Sequence, residues 1–258
     1  MTMDRFLIKN SSTRKHPLLV ECTDTVTLPE KAKLRKNEDD SLLAEHLTWK
    51  EIRAEGLSCD YTLLYSKTEA DVIFQQLERE ITYFPEDLSR VQVYGKWHNV
   101  PRKQVTYGDD GLSYKFSGIT LSPKPWIPLL NSIRDRVELA TGHTFNFVLI
   151  NRYKDGNDHI GEHRDDEKDL VPHSPIASVS FGACRDFIFR HRDARCKNPT
   201  RQIESQKLEL ANGSLLMMNF PTNVYWYHSL PVRKKVLAPR VNLTFRKIIP
   251  NCERKNTP

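Results

Sequence analysis

The heptapeptide Arg240-Val241-Asn242-Leu243-Thr244-Phe245-Arg246 alternates polar and apolar residues without interruption. Side chains along a strand point to opposite faces in turn. Val241, Leu243 and Phe245 therefore face one layer, and Arg240, Asn242, Thr244 and Arg246 face the other. A helical period would scatter both sets around an axis, so the segment reads as a strand of a two-faced sheet. The polar face of such a strand is ordinarily wet. Here it carries two arginines and two neutral groups, with no carboxylate to pair with them. That suits a ligand with negative ends, because guanidinium forks take carboxylates bidentately.

The same period recurs upstream. Phe145, Phe147 and Leu149 alternate into Asn151 and Tyr153, and Arg90 to Tyr94 is a short alternating run that reaches Gly95. The runs 176–181 and 186–191 flank a turn at 182–185 and read as a hairpin. Residues 214–218 form a further strand, and the arginine strand extends from Val241 to Ile248. Thr68 and Asp71 resemble a capping box. Val72, Ile73, Leu77 and Ile81 then recur at helical spacing, predicting a helix near 68–83. A second helix is predicted to open at Pro125, with Ile127, Leu130, Ile133 and Val137 on one face. Helices come first and strands follow. The expected class is α+β, mainly β: an antiparallel core backed by helices. A double-stranded β-helix (jelly roll) fits, because its small barrel can enclose a site.

Residues 1–48 are rich in Lys, Glu, Asp, Ser and Thr and lack a sustained period, which reads as a disordered N-terminal tail. The domain is expected over 49–250, with a C-terminal tail at 251–258. Hydrophobic residues make up 38%, enough for a core, while no apolar run is long enough to span a membrane. The N-terminus has no signal-peptide apolar region. Cys22, Cys59, Cys184, Cys196 and Cys252 are scattered and form no CxxC pair, which argues against a zinc ribbon or a disulfide framework. A net charge of +6 favours an anionic partner, with nucleic acid leading.

His163-Arg164-Asp165 places two metal-binding side chains two residues apart, so an extended chain sends both to one side. His228, after the 214–218 strand, is the candidate third ligand. Two imidazoles and one carboxylate on one face of a metal are the triad of non-haem Fe(II) oxygenases, with the other face open. Asn151 and Tyr153 face the same way on their strand and can donate to the ligand held by the arginines. A competing motif overlaps. His159-Ile160-Gly161-Glu162-His163 reads as the H-x-x-E-H of zinc peptidases, which requires a helix. Gly156, Gly161, Asp155, Asn157 and Asp158 favour a loop there instead.

The stretches 145–167, 175–190 and 213–248 resemble AlkB-type Fe(II)/2-oxoglutarate-dependent DNA-dealkylating dioxygenases, over about residues 50–250. The resemblance implies that His163, Asp165 and His228 bind Fe(II), and that Asn151, Tyr153, Arg240, Thr244 and Arg246 hold 2-oxoglutarate, with O₂ as second co-substrate. It implies that Tyr114, Phe116 and Asp166 line a pocket for a damaged base. The run Arg90-Val91-Gln92-Val93-Tyr94-Gly95-Lys96 would be a hairpin entering the duplex, and Arg102, Lys115, Arg190, Lys197 and Arg233 would contact DNA. The implied activity is oxidative dealkylation of 1-methyladenine, 3-methylcytosine and etheno adducts in double-stranded DNA. Alternatives are an RNA or protein demethylase on the same core, or a non-catalytic damage-binding module. Tyr94 departs from the Phe of these relatives; the flat ring is kept and a hydroxyl is added.

The residues themselves leave choices open. Val91, Val93 and Tyr94 supply wedge bulk at a turn tip, or the apolar face of an ordinary hairpin. Tyr114 and Phe116 share a face and suit either an extruded base or the core. Arg190, Arg192, Arg195, Lys197 and Arg201 form one basic cluster and Arg233, Lys234 and Lys235 another; both suit a phosphate track or a solvated loop. Finally, Arg5-Phe6-Leu7-Ile8-Lys9 is similar to the short motif by which repair proteins dock on the replication sliding clamp, PCNA, and Lys31, Lys33, Arg35 and Lys36 would serve nuclear import. The expected protein is a nuclear monomer that binds no membrane.

Overall fold

Residues 47–85, 90–93, 96–116, 119–195, 199 and 201–251 are described by a computed structural model; of 90–93, 96–99, 114–116 and 119–121 it describes the backbone alone. Strands β1 (Lys50–Ala54) and β2 (Leu57–Leu63) form a first antiparallel pair. Helix α1 (Lys67–Glu80) follows. Its capping box lies at Ser66 and Glu69, two residues before the expected one: Ser66 Oγ accepts from the Glu69 N–H and Glu69 Oε2 accepts from the Ser66 N–H at 2.9 Å. Thr68 is already inside the helix, and Asp71 pairs with Lys67 at 2.7 Å one turn back. The helix stops at Glu80 rather than 83, because Ile81 is extended and donates to Leu77 O as its C-cap.

Next come β3 (Arg90–Val93) and β4 (Lys96–Asn99), a two-stranded hairpin; β5 (Lys103–Gly108); and a second small pair, β6 (Tyr114–Phe116) with β7 (Ile119–Leu121). Helix α2 (Pro128–Thr141) starts three residues after the expected Pro125; Pro128 takes the first helical turn, where a missing N–H costs nothing. Leu130, Ile133 and Val137 are its buried face, as the spacing predicts, and full burial of such side chains stabilises by about 1.5–3 kcal/mol each.

The remaining strands are β8 (Phe147–Tyr153), β9 (Ile160–His163), β10 (Ile176–Gly182), β11 (Arg185–His191), β12 (Gln206–Leu210), β13 (Ser214–Met218), β14 (Trp226–Leu230) and β15 (Arg240–Arg246), with a one-turn helix α3 (Thr222–Tyr225) before β14. They build a seven-stranded antiparallel sheet ordered β1-β2-β13-β10-β15-β8-β5 and a four-stranded antiparallel sheet ordered β12-β11-β14-β9. The expected hairpin of β10 with β11 does not exist. β10 pairs with β13 and β15, and β11 with β12 and β14, so the chain passes from one sheet to the other at 182–185. Gly182, at φ 83°, makes that turn, and a side chain there would strike Pro239 O at 2.5 Å.

Each side of the large sheet has its own partner. Val241, Leu243 and Phe245 of β15, with Val148 and Ile150 of β8 and Ala177, Val179 and Phe181 of β10, join Leu77, Leu130, Ile133 and Val137 in one apolar core under the two helices. On the other side, Leu216, Met218 and Ile176 meet Phe187, Phe189, Trp226 and Leu230 of the small sheet. The polar face of β15 is turned toward this second layer and is buried along its whole length. Among the described residues no helix is long and apolar enough to cross a membrane.

Candidate active site

Register decides what meets on the polar side of the large sheet. Across β15 and β8 the pairs are Arg240 with Tyr153, Asn242 with Asn151, and Thr244 with Leu149. Across β15 and β10 they are Asn242 with Ser180 and Thr244 with Ser178. Directly opposed residues share a face, so the cavity on this side is floored by Arg240, Asn242, Thr244, Arg246, Asn151, Tyr153 and Ser178. Its opposite wall is apolar and comes mostly from the small sheet: Ile160, Phe187 and Leu230.

The small sheet also brings in the metal-binding side chains. β14 pairs with β9 so that His228 lies opposite His163, and Asp165 follows β9 two residues later. The three offer ligand atoms that all lie within 4.8 Å of one another. His163 Nε2 is 3.8 Å and His228 Nε2 4.0 Å from the Asp165 carboxylate, and the two imidazoles meet at 4.3 Å, tilted by 67°. His163 Nδ1 lies 2.9 Å from Gly161 O, which leaves Nε2 to point inward. All three line the cavity.

The electrostatics favour ligation. Burial pushes the Asp165 carboxyl up, but the charge of Arg246, then those of His228 and His163, overrides it and holds the group down at about 2. Arg246 Nη2 sits 3.1 Å from Asp165 Oδ1. Burial pushes the His228 imidazole down to about 3, with the neighbouring His163 adding to the effect, so it stays neutral and able to donate its lone pair. Two imidazoles, that of His228 neutral, and an anionic carboxylate on one side, open to a cavity on the other, fit ferrous iron.

Arg240 supplies the test of the co-substrate. It is 1% exposed, and burial lowers its guanidinium to about 10. Nη2 donates to Ser180 Oγ at 2.9 Å, while Nε and Nη1 have no hydrogen-bond partner among the described residues. Orphaned buried donors are costly, and a carboxylate at this end of the cavity would supply an acceptor for one of them. The residues present therefore fit a dicarboxylate such as 2-oxoglutarate beside the triad.

Other anticipated residues fall in varied places. Arg102 lines the cavity and donates from Nε to Asn151 Oδ1 at 2.9 Å, as Gln104 does from Nε2. Asp166 points to solvent and pairs with Arg164 at 3.0 Å, whereas Glu167 lines the cavity. Arg190 and Arg195 share Glu162, at 3.4 and 2.8 Å, and Arg233 donates to Asp186. Val91, Val93 and Lys96 are placed as hairpin backbone and Tyr114, Lys115 and Phe116 as β6 backbone, while Tyr94, Gly95, Lys197 and the segment Arg5-Phe6-Leu7-Ile8-Lys9 lie outside the described residues. The peptidase reading fails: 160–163 is a strand, His159 is not in the metal group, and Glu162 serves arginines. Ser178, Ser180 and Glu167 were not anticipated. The alternation of Ser178 and Ser180 within the apolar run 176–182 is the signal that marks them.

The family model of the 2OG-Fe(II) oxygenase superfamily matches residues 58–246. The DNA oxidative demethylase ALKBH2 of Bos taurus is 73% identical over 208 residues, covering 81% of this chain and 75% of that protein. That of Homo sapiens is 72% identical over 202 residues, 78% of this chain and 77% of that one. The solved structure of OsALKBH1 superimposes with a TM-score of 0.51 at 15% identity, over 78% of this chain and all of that one, which supports the fold. With a matched family model, close relatives and a fitting triad, the chain belongs to the 2OG-Fe(II) oxygenase superfamily, in its AlkB-type group.

Proposed function

We propose that this dioxygenase is a DNA oxidative demethylase that removes alkyl groups from base nitrogens in duplex DNA. The observation that carries the reading is the junction of the triad His163, Asp165 and His228 with the unsatisfied Nε and Nη1 donors of Arg240 in one cavity. The identity to DNA oxidative demethylases supports the substrate.

Ferrous iron with 2-oxoglutarate and O₂ supplies hydroxylation chemistry when bound. The protein's part is positional. His163, Asp165 and His228 would hold the metal, with Asp165 kept ionised by Arg246 and His228 kept neutral by burial. Arg240 and Tyr153 would take one end of the diacid, and Thr244 and Arg246, the latter paired with Asp165, would take the other. The apolar wall of Ile160, Phe187 and Leu230 limits water. Hydroxylation of an N-methyl group releases formaldehyde and restores the base.

A methyl group on N1 of adenine or N3 of cytosine lies at the pairing edge, so the base leaves the stack before it reacts. The β3–β4 hairpin, with Val91 and Val93 together with Tyr94, is our candidate wedge, and Tyr114, Phe116 and Asp166 our candidates at the base; Arg102 and Lys115, with Arg190, Lys197 and Arg233, would contact the DNA. Etheno adducts belong to the same proposal. The segment 5–9 would tether the protein to the sliding clamp in the nucleus.

The test is anaerobic titration with Fe(II) and 2-oxoglutarate, then formaldehyde assay on methylated duplex, single-stranded DNA, RNA and peptide. Turnover on the duplex supports the proposal. Turnover on RNA or peptide alone transfers the activity to those substrates, and duplex binding without turnover leaves a damage-binding module.

A further inference from the structure

Arg185 opens β11 and is 2% exposed, yet it has no carboxylate partner among the described residues. Its guanidinium instead gathers three main-chain carbonyls. Nη1 donates to Asp155 O at 3.1 Å, and Nη2 donates to Asp158 O at 2.9 Å and Pro231 O at 2.8 Å. These oxygens belong to two loops. One, residues 154–159, runs from the co-substrate strand β8 to the metal-ligand strand β9. The other, beginning at Pro231, runs from the metal-ligand strand β14 toward β15.

The two loops are also bonded to each other. Gly156 N–H donates to Val236 O at 2.7 Å, and Arg233 N–H donates to Gly156 O at 2.7 Å. A Cβ at position 156 would lie 1.7 Å from Arg233 O, so only glycine permits this approach. The next residue along β11, Asp186, points to the other face of the sheet and accepts from the Arg233 side chain. Consecutive residues of one strand thus grip the same loop from both faces. Inside, Arg185 lies 5.9 Å and Arg240 5.3 Å from the centre of the Tyr153 ring, which therefore packs beside both cations.

We infer that Arg185 is a positioning residue for the 2-oxoglutarate pocket, acting through the loops at 154–159 and 231–236 and through the ring of Tyr153. It is not among the residues that line the cavity. It holds Tyr153 and the chain leading to His163 against the chain leaving His228. A buried guanidinium suits this task because its planar fork reaches several fixed acceptors at once, which a lysine ammonium does not reproduce. The inference rests on the dioxygenase reading of the site.

The experiment compares wild type with Arg185→Met and Arg185→Lys. 2-Oxoglutarate is titrated anaerobically into the Fe(II)-loaded proteins and followed by the visible charge-transfer absorption of the chelate; Fe(II) affinity and the kcat and KM for 2-oxoglutarate are measured alongside. We expect 2-oxoglutarate binding by R185M to weaken about tenfold, the scale of outer-shell substitutions. KM should rise in parallel, with kcat at saturation and Fe(II) affinity within about twofold of wild type. R185K should lose less, in the same direction. Unchanged 2-oxoglutarate affinity in folded R185M overturns the inference; if R185M is insoluble, unchanged affinity in folded R185K does so. Absence of the absorption band in wild type overturns the dioxygenase reading instead.

Discussion

Arg246 Nη2 and Asp165 Oδ1 are 3.1 Å apart, and both side chains are almost wholly buried. An arginine of the diacid cradle is therefore also the charge partner of a metal ligand. Removing one member of a buried pair leaves the other charge uncompensated and costs about 3 kcal/mol or more. Arg246→Ala should destabilise the metal-free protein by that order, and a divalent cation should recover part of the loss by taking over Asp165. Denaturant unfolding with and without Mn(II) measures both; equal stability of variant and wild type without metal would sink the idea.

Asp165→Asn keeps the shape of the ligand and removes its charge. Formaldehyde release from methylated duplex should fall to background while the far-ultraviolet spectrum and duplex affinity stay near wild type. Turnover within a few fold of wild type would remove Asp165 from the triad.

His228 contributes a pH dependence whose sign follows from burial. Its imidazole resists protonation down to about 3 in the folded chain, against an ordinary 6.5 when unfolded. Between those values the unfolded chain binds more protons, so stability falls as pH drops below 6.5, by at most about 1.4 kcal/mol per pH unit. Asp165, held at about 2 against an ordinary 3.8, adds to the loss in the same direction only in stronger acid. Without metal, His228→Gln should flatten the profile between pH 6.5 and 4; a profile as steep as wild type would point to other groups.

Tyr94 bears on duplex substrates. If it fills the gap left by an extruded base, Tyr94→Ala should lower kcat/KM on duplex roughly tenfold, about 1.4 kcal/mol, and leave single-stranded substrate within twofold. Equal losses on both would discard the wedge.

Local pattern carried some of this architecture and not the rest. The alternation of 240–246 marks a strand with an arginine face, because the period of two is a property of the chain itself. The HxD spacing likewise marks Asp165 and His163. The partition of β10 and β11 between two sheets was not legible. Alternation says which way a side chain points, not which strand lies beside it, and the Gly182 turn serves a hairpin or a crossover equally well. Asp166 and Glu167 show the same limit: both are carboxylates next to a ligand, and only the path of the chain after Asp165 turns the first to water and the second to the cavity. The box at Ser66 was legible and passed over: Ser66-x-x-Glu69 carries the glutamate such a box calls for, whereas Thr68 is followed three residues later by the shorter Asp71.

β15 sits between β10 and β8, with helices beneath one face and the ligand cavity above the other, and all seven of its residues are buried. Most strands near a protein surface keep one idle side on which substitutions can drift. This one has none: even positions answer to chemistry and odd positions to packing. A single-residue insertion would exchange the two sets, putting guanidinium groups into the oil under the helices and valine, leucine and phenylalanine where a diacid belongs, so folding and catalysis would fail together.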